Sequence, residues 1–258
     1  MNSWIRLDQA PVPGTRSTME LYRWADREEY AIHVDGRQLM SNRVHGSEEA
    51  LAELACDRLA ARPEARVLIG GLGLGFTLAA VLRAAPPAAR VVVAEVVPAI
   101  VDWNRGPAGA AAGHPLQDPR AAVFAGDVAE AFRDQQQAWD AILLDVDNGP
   151  ASLTRAGNGW LYGWEGLAAA HRALRPEGVL GIWSAKDDPA FTRRLQRAGF
   201  DVDPVPVRAR GRRGGPRHTV WMAVRAGNAE DPAWSARHEP PVSSPAGQRG
   251  EPPPRRFP

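Results

Sequence analysis

Apolar runs along the chain alternate between two periods. Arg66-Val-Leu-Ile69 is a short continuous run closed by glycines, and Phe76-Thr-Leu-Ala-Ala-Val-Leu-Arg83 after it has helical spacing. The alternation repeats: a strand over Arg90–Glu95, a helix from Pro98 to Trp103 with proline in its first turn, a strand over Ala121–Phe124, a helix over Val128–Gln136 and a strand over Asp140–Asp145. A helix over Glu165–Leu174, a strand over Val179–Trp183 and a helix over Pro189–Ala198 precede two closing strands, Phe200–Val207 and His218–Val224. Continuous apolar strands separated by helices suit a parallel sheet covered on both faces. The pattern predicts an α/β fold with a seven-stranded, mostly parallel, Rossmann-like sheet whose last strand runs antiparallel.

The ends of the chain follow other rules. Met19–Trp24 and Tyr30–Val34 flank a polar turn, and Asp35-Gly36 is a further turn signal, so residues 1–45 are expected to form a small N-terminal β-hairpin appendage. A helix over Glu48–Ala61, with Leu51, Leu54, Ala55 and Leu59 on one face, opens the Rossmann-like catalytic domain, 46–225. Cys56 in that helix reads as a small buried residue. Residues 226–258 hold 8 prolines between Pro232 and Pro258 and few large apolar side chains. Such a stretch buries too little surface to offset ordering, and is expected to be a disordered tail.

Composition narrows the function classes. The chain has 258 residues, one cysteine and a formal net charge of +1. A lone cysteine excludes a disulfide scaffold and a multi-cysteine zinc site, and the N-terminus lacks a leader's apolar run, so the expected location is cytoplasmic. No stretch reaches the ~20 apolar residues of a membrane span. Near-neutrality gives no general reason to expect nucleic acid or anionic lipid. The average conceals a split, however. Arg208, Arg210, Arg212, Arg213 and Arg217 lie in one acid-free loop, and setting them aside turns +1 into −4 for the rest. That loop reads as a solvated connection between the closing strands. The six histidines show no metal-binding spacing, so no metal is expected.

Chemistry gathers at the strand ends. Val67-Leu-Ile-Gly-Gly-Leu-Gly-Leu-Gly75 places Gly70, Gly71, Gly73 and Gly75 between a strand and a helix, where bare backbone can approach a ligand. Phe76-Thr77 stands where a phosphate-binding P-loop needs Lys-Ser/Thr, and the glycine spacing misses the dinucleotide G-x-G-x-x-G. Glu95 ends the second strand, where a carboxylate can accept from ribose hydroxyls. Asp127, followed by Val128, ends the third and is placed for an adenine amine or for capping the next helix. Asp145 ends the fourth, with Asp147 just beyond. These positions converge at the carboxyl edge of an open α/β sheet and suit a nucleoside without phosphate, such as S-adenosylmethionine.

The combination resembles the polyamine aminopropyltransferases (the spermidine synthases), within the class I methyltransferase-type fold. The resemblance is carried by Val34-Asp-Gly-Arg-Gln-Leu-Met-Ser41, Val67-Leu-Ile-Gly-Gly71, Asp118-Pro-Arg120, Gly126-Asp127, Trp139-Asp-Ala-Ile-Leu-Leu-Asp145, Gly149-Pro-Ala151, Leu153 and Tyr162. It implies aminopropyl transfer from decarboxylated S-adenosylmethionine to a small-molecule amine. Glu95 would hold the ribose, Asp127 the adenine, Gln38 would lie near the donor, and Asp145 would free the attacking amine, with Asp147 or Asn148 in the place of a second acid. The hairpin is then a candidate for homodimer contact. The sequence departs from the family at three places. Leu74 replaces an aspartate that faces the donor's amine and disfavours an intact carboxylate. The loop Asp145-Val-Asp-Asn-Gly-Pro-Ala151 is short, and His45-Gly-Ser-Glu48 keeps little of a Tyr-His-Glu stretch.

Two alternatives follow from these departures: an S-adenosylmethionine-dependent methyltransferase on the same fold, or a non-catalytic nucleoside-binding homologue. Trp160, Tyr162 and Trp164 either wall an amine site with aromatic faces or anchor the next helix to the sheet.

Overall fold

The computed structural model describes residues 4–146 and 159–226 of the chain. Asp147, Asn148, Gly149-Pro-Ala151, Leu153 and the proline-rich stretch beyond Ala226 lie outside the described residues.

A four-stranded antiparallel sheet comes first, β1 (Trp4–Pro11), β2 (Thr18–Trp24), β3 (Tyr30–Val34) and β4 (Arg37–Ser41), in that order. The expected hairpin is its middle pair. The two outer strands are not half-buried: β1 exposes five consecutive residues and β4 its first three. Main-chain pairing with β2 and β3 holds them instead.

α1 (Gly46–Asp57) leads into the large sheet. Its strands are β5 (Arg66–Gly70), β6 (Arg90–Glu95), β7 (Ala121–Ala125), β8 (Trp139–Leu144), β9 (Leu174–Ser184), β10 (Phe200–Arg208) and β11 (Arg217–Arg225), ordered β10-β11-β9-β8-β5-β6-β7. β5–β9 pair in parallel, while β11 runs antiparallel to both β9 and β10. This is the seven-stranded, mostly parallel Rossmann-like architecture that the apolar pattern predicts. One face packs under α1, α2 (Phe76–Ala84) and α3 (Pro98–Arg105); the other under α4 (Val128–Phe132), α6 (Trp164–Ala173) and α7 (Pro189–Arg197), after the short α5 (Gly159–Tyr162).

Differences from expectation have local causes. α4 stops at Phe132 because Arg133–Gln137 are exposed and offer no apolar face, and Gln137 has φ +45°. α1 stops at Asp57, and a turn returns Leu59 to the core. β9 begins at Leu174, which pairs with Trp139 before an irregularity restores register at Val179 opposite Ala141.

A charged anchor closes the edge of the sheet away from the glycine loop. Asp140, 1% exposed, is paired with Arg62 and Arg175 and accepts from Arg66 N–H. Arg62 also donates to Pro176 O, so this one carboxylate ties the starts of β5, β8 and β9 together.

Candidate active site

Four strand ends, those of β5, β6, β7 and β8, are laced together by main-chain hydrogen bonds. Gly71 N–H donates to Ala94 O, Gly126 N–H to Glu95 O and Asp145 N–H to Gly70 O, at 2.9–3.0 Å. Parallel register therefore brings the glycine loop, Glu95, the Gly126-Asp127 turn and Asp145 to one edge of the sheet. The small N-terminal sheet lies over this edge, and a cavity of about 450 Å³ lies between them. That volume falls within the roughly 300–1,000 Å³ of small-molecule sites.

Gln38, Gly71, Gly73, Glu95, Asp127, Val128 and Asp145 line the cavity. Gly70 and Gly75 do not. Gly70 gives room for Val128, whose methyls would lie 3.0 Å from a Cβ there. Gly75 starts α2 at φ +86°, against Asn104 and Pro115. Gly71 has the tightest requirement: φ is +89° and a Cβ would come within 2.5 Å of Asp145 O. The side chain of Asn104, 1% exposed, donates to Gly73 O and Ile100 O and braces the loop from behind.

Each acid is held differently. Glu95 Oε2 accepts from Leu72 N–H and Oε1 from Val97 N–H, at 3.0 and 2.9 Å. Burial raises its pKa and these backbone donors work against that rise. Asp127 caps α4 by accepting from Ala129 N–H at 2.9 Å, so the capping expectation holds alongside its place in the cavity wall. Asp145 accepts from Thr77 Oγ1 at 2.6 Å. What surface Asp145 retains faces the cavity, and burial pushes its pKa up to about 6 despite that hydrogen bond.

A fourth carboxylate, Glu48, enters the cavity from the first turn of α1. Burial first, and then the charge of Asp145, raise it to about 7. With Glu48, Glu95, Asp127 and Asp145, four carboxylates line the cavity, and no lysine or arginine does so among the described residues. Sequence reasoning missed Glu48, as well as Ser47, Trp183 and His218, which also line it. The available signal for Glu48 was its place in the family-divergent stretch His45-Gly-Ser-Glu48.

The sequence matches no family model, and no curated protein matches it. Solved structures do. The fold is similar to a spermidine synthase in complex with the transition state analogue AdoDATO, at 18% identity and TM-score 0.66, covering 86% of this chain and 73% of that one. Spermidine synthase from Thermotoga maritima is similar at 19% identity and TM-score 0.67, with 86% and 74% covered. A probable spermidine synthase from Corynebacterium glutamicum gives 17% and 0.56, with 88% and 86% covered. The chain has the spermidine synthase fold.

Within that fold, Leu74 is 1% exposed and packs in the apolar core, so the glycine loop turns no acid toward the cavity at this position. None of the aromatic residues Trp160, Tyr162 and Trp164 lines the cavity. Tyr162 is buried edge-on to Phe191 and donates to Val146 O, and Trp160 packs on Phe132 beneath the Arg133 guanidinium. Trp164 is 49% exposed. These contacts fit helix anchoring, and among the described residues the rings in the cavity wall are those of Trp183 and His218. The five arginines between 208 and 217 are all exposed, as expected of a solvated loop. Among the described residues, no group of three or more metal-ligating side chains comes together, and no helix is long and apolar enough to cross a membrane.

Proposed function

We propose that the chain is a transferase that moves an aminopropyl group from decarboxylated S-adenosylmethionine to a small-molecule amine. The observation that carries this reading is the cavity's charge: four carboxylates without a lysine or arginine among the described lining. A sulfonium donor and an ammonium acceptor are both cations, and an acidic, partly enclosed cavity favours their juxtaposition. The similarity to spermidine synthases supports the fold on which the reading stands.

The chemistry follows from the side chains. Glu95, fixed by two backbone donors, offers its remaining lone pairs to the ribose hydroxyls. Asp127 keeps one carboxylate oxygen beyond its capping bond for the adenine amine. Gly71 and Gly73 let backbone approach the nucleoside. Asp145, with a pKa pushed up to about 6, is suited to take a proton from an ammonium near neutral pH. The freed amine then attacks the carbon bonded to sulfur, and alignment of the reactants supplies much of the acceleration.

The glycine loop, Gly70-Gly-Leu-Gly-Leu-Gly75, carries no acid to repel a carboxylate, and this favours a second reading, methyl transfer from intact S-adenosylmethionine. Calorimetry separates the two. Tighter binding of decarboxylated S-adenosylmethionine is expected from the acidic cavity; tighter binding of the intact form would overturn aminopropyl transfer in favour of methyl transfer.

A further inference from the structure

Glu48 has a built support of its own. Ser47, fully buried, donates through Oγ to Glu48 Oε2 at 2.7 Å, and His218 Nδ1 lies 3.0 Å from the same Oγ. Because the Ser47 proton points to Glu48, the geometry calls for a hydrogen on His218 Nδ1 and leaves Nε2 as the acceptor. The Trp183 ring meets the His218 ring edge-on, with centroids 4.9 Å apart.

The backbone fixes this chain of contacts. Gly46 N–H donates to Ala209 O at 2.9 Å, and a Cβ on Gly46 would fall 2.2 Å from Gly211 N. The β10–β11 connection therefore seats the first turn of α1, while β11 itself carries His218 to Ser47. Ser47, Glu48, Trp183 and His218 line the same cavity as Asp145.

We propose that Glu48 is a second acid of the amine-acceptor site, holding the acceptor's ammonium opposite Asp145, with Ser47 and His218 as positioning residues that aim it. The inference rests on the aminopropyl-transfer reading and adds the residue that selects the acceptor. Asp145 takes one proton from the ammonium, and the freed nitrogen lone pair forms a bond to the terminal propyl carbon on sulfur. The carbon–sulfur bond breaks with its electron pair on sulfur, so neutral methylthioadenosine leaves and the positive charge moves to the product amine. Glu48 stays anionic and holds that charge. Burial, Asp145 at the end of β8 and Glu49 beside it on α1 all raise the pKa of Glu48, and His218 on β11 is kept toward its neutral form by burial; the bound ammonium opposes that rise and favours the Glu48 anion. The ligand-free pair repels, and a bound ammonium relieves the repulsion.

Calorimetry with methylthioadenosine, then with putrescine added to that complex, tests the assignment on the full chain. Hydrogen bonds to charged groups contribute about 1.5–3 kcal/mol, so Glu48→Gln should weaken putrescine about 10- to 100-fold while methylthioadenosine affinity stays within about twofold. Glu48→Asp should recover part of the loss, and Ser47→Ala should weaken putrescine by a smaller factor with methylthioadenosine unaffected. If Glu48→Gln does not fold, those two variants carry the same comparison. Methylthioadenosine binding with no putrescine binding, or equal putrescine binding by wild type and variants, overturns the role of Glu48 and leaves the nucleoside site standing. Failure of wild type to bind methylthioadenosine overturns both readings together.

Discussion

Replacing Asp145 by asparagine should stabilise the ligand-free protein, and should do so only above acidic pH. In the unfolded chain this carboxyl ionises near its ordinary value of 3.8, whereas in the folded protein burial pushes it up to about 6. Below the unfolded value both states hold the proton, and ionisation costs the fold nothing. Between the two values the unfolded chain releases its proton first, so wild-type stability falls as pH rises, and the loss is complete above the folded value. Each pKa unit corresponds to about 1.36 kcal/mol, so a rise of about two units makes roughly 3 kcal/mol, reduced to about 2–3 by the edge that Asp145 turns to the cavity. Asparagine carries no charge, and its Oδ1 can still accept from Thr77 Oγ1, which donates to Asp145 at 2.6 Å. Urea denaturation of both proteins at about pH 4, 6 and 8 measures the difference by linear extrapolation. The expected gain is small at the lowest pH and reaches about 2–3 kcal/mol at the highest, with loss of transfer activity. A gain independent of pH, or destabilisation at pH 8, would refute the claim that Asp145 is a charge held against its solvation.

The remaining expectations separate the scaffold from the site. Asp140→Ala should cost about 3 kcal/mol in denaturant unfolding, because it strips Arg62, Arg175 and Arg66 N–H of their common partner, while residual folded protein keeps methylthioadenosine affinity. Gly71→Ala should abolish methylthioadenosine binding by calorimetry, since the new Cβ would come within 2.5 Å of Asp145 O at a positive φ. Asn104→Ala should lower stability by about 1–3 kcal/mol through the lost bonds to Gly73 O and Ile100 O, and should weaken methylthioadenosine as the loop loosens. In steady-state assays, kcat/KM for the acceptor should fall as pH drops through about 7 toward about 6, where Glu48 and Asp145 take up protons.

The large sheet was legible because its central strands are apolar throughout and glycine, proline or aspartate punctuates them: β6 runs Arg90–Glu95 as predicted, and β5 and β8 differ by single end residues. Once parallel register is assumed, Glu95, Asp127 and Asp145 fall together from strand position alone. What escaped was supplied by tertiary contact. β1 is an exposed edge strand whose pairing is main-chain and therefore weakly coded by side chains. Glu48 in the first turn of a helix reads as a carboxylate favoured by the helix dipole, and only the packing of Gly46 on Gly211 turns that helix end toward the cavity. His218 and Trp183 sit on strands as isolated residues, and the antiparallel pairing of β11 with β9 places them side by side. Leu74 shows the converse: it stands where the resembled family has an aspartate facing the donor, and its apolar side chain packs in the core.

Aminopropyl transfer itself is tested most directly by incubating the pure protein with decarboxylated S-adenosylmethionine and putrescine and quantifying methylthioadenosine and spermidine by mass spectrometry. Equal amounts of the two products, formed by wild type and reduced to background by Asp145→Asn, are the predicted result. No methylthioadenosine above the protein-free control, or the same yield from Asp145→Asn, would contradict the account.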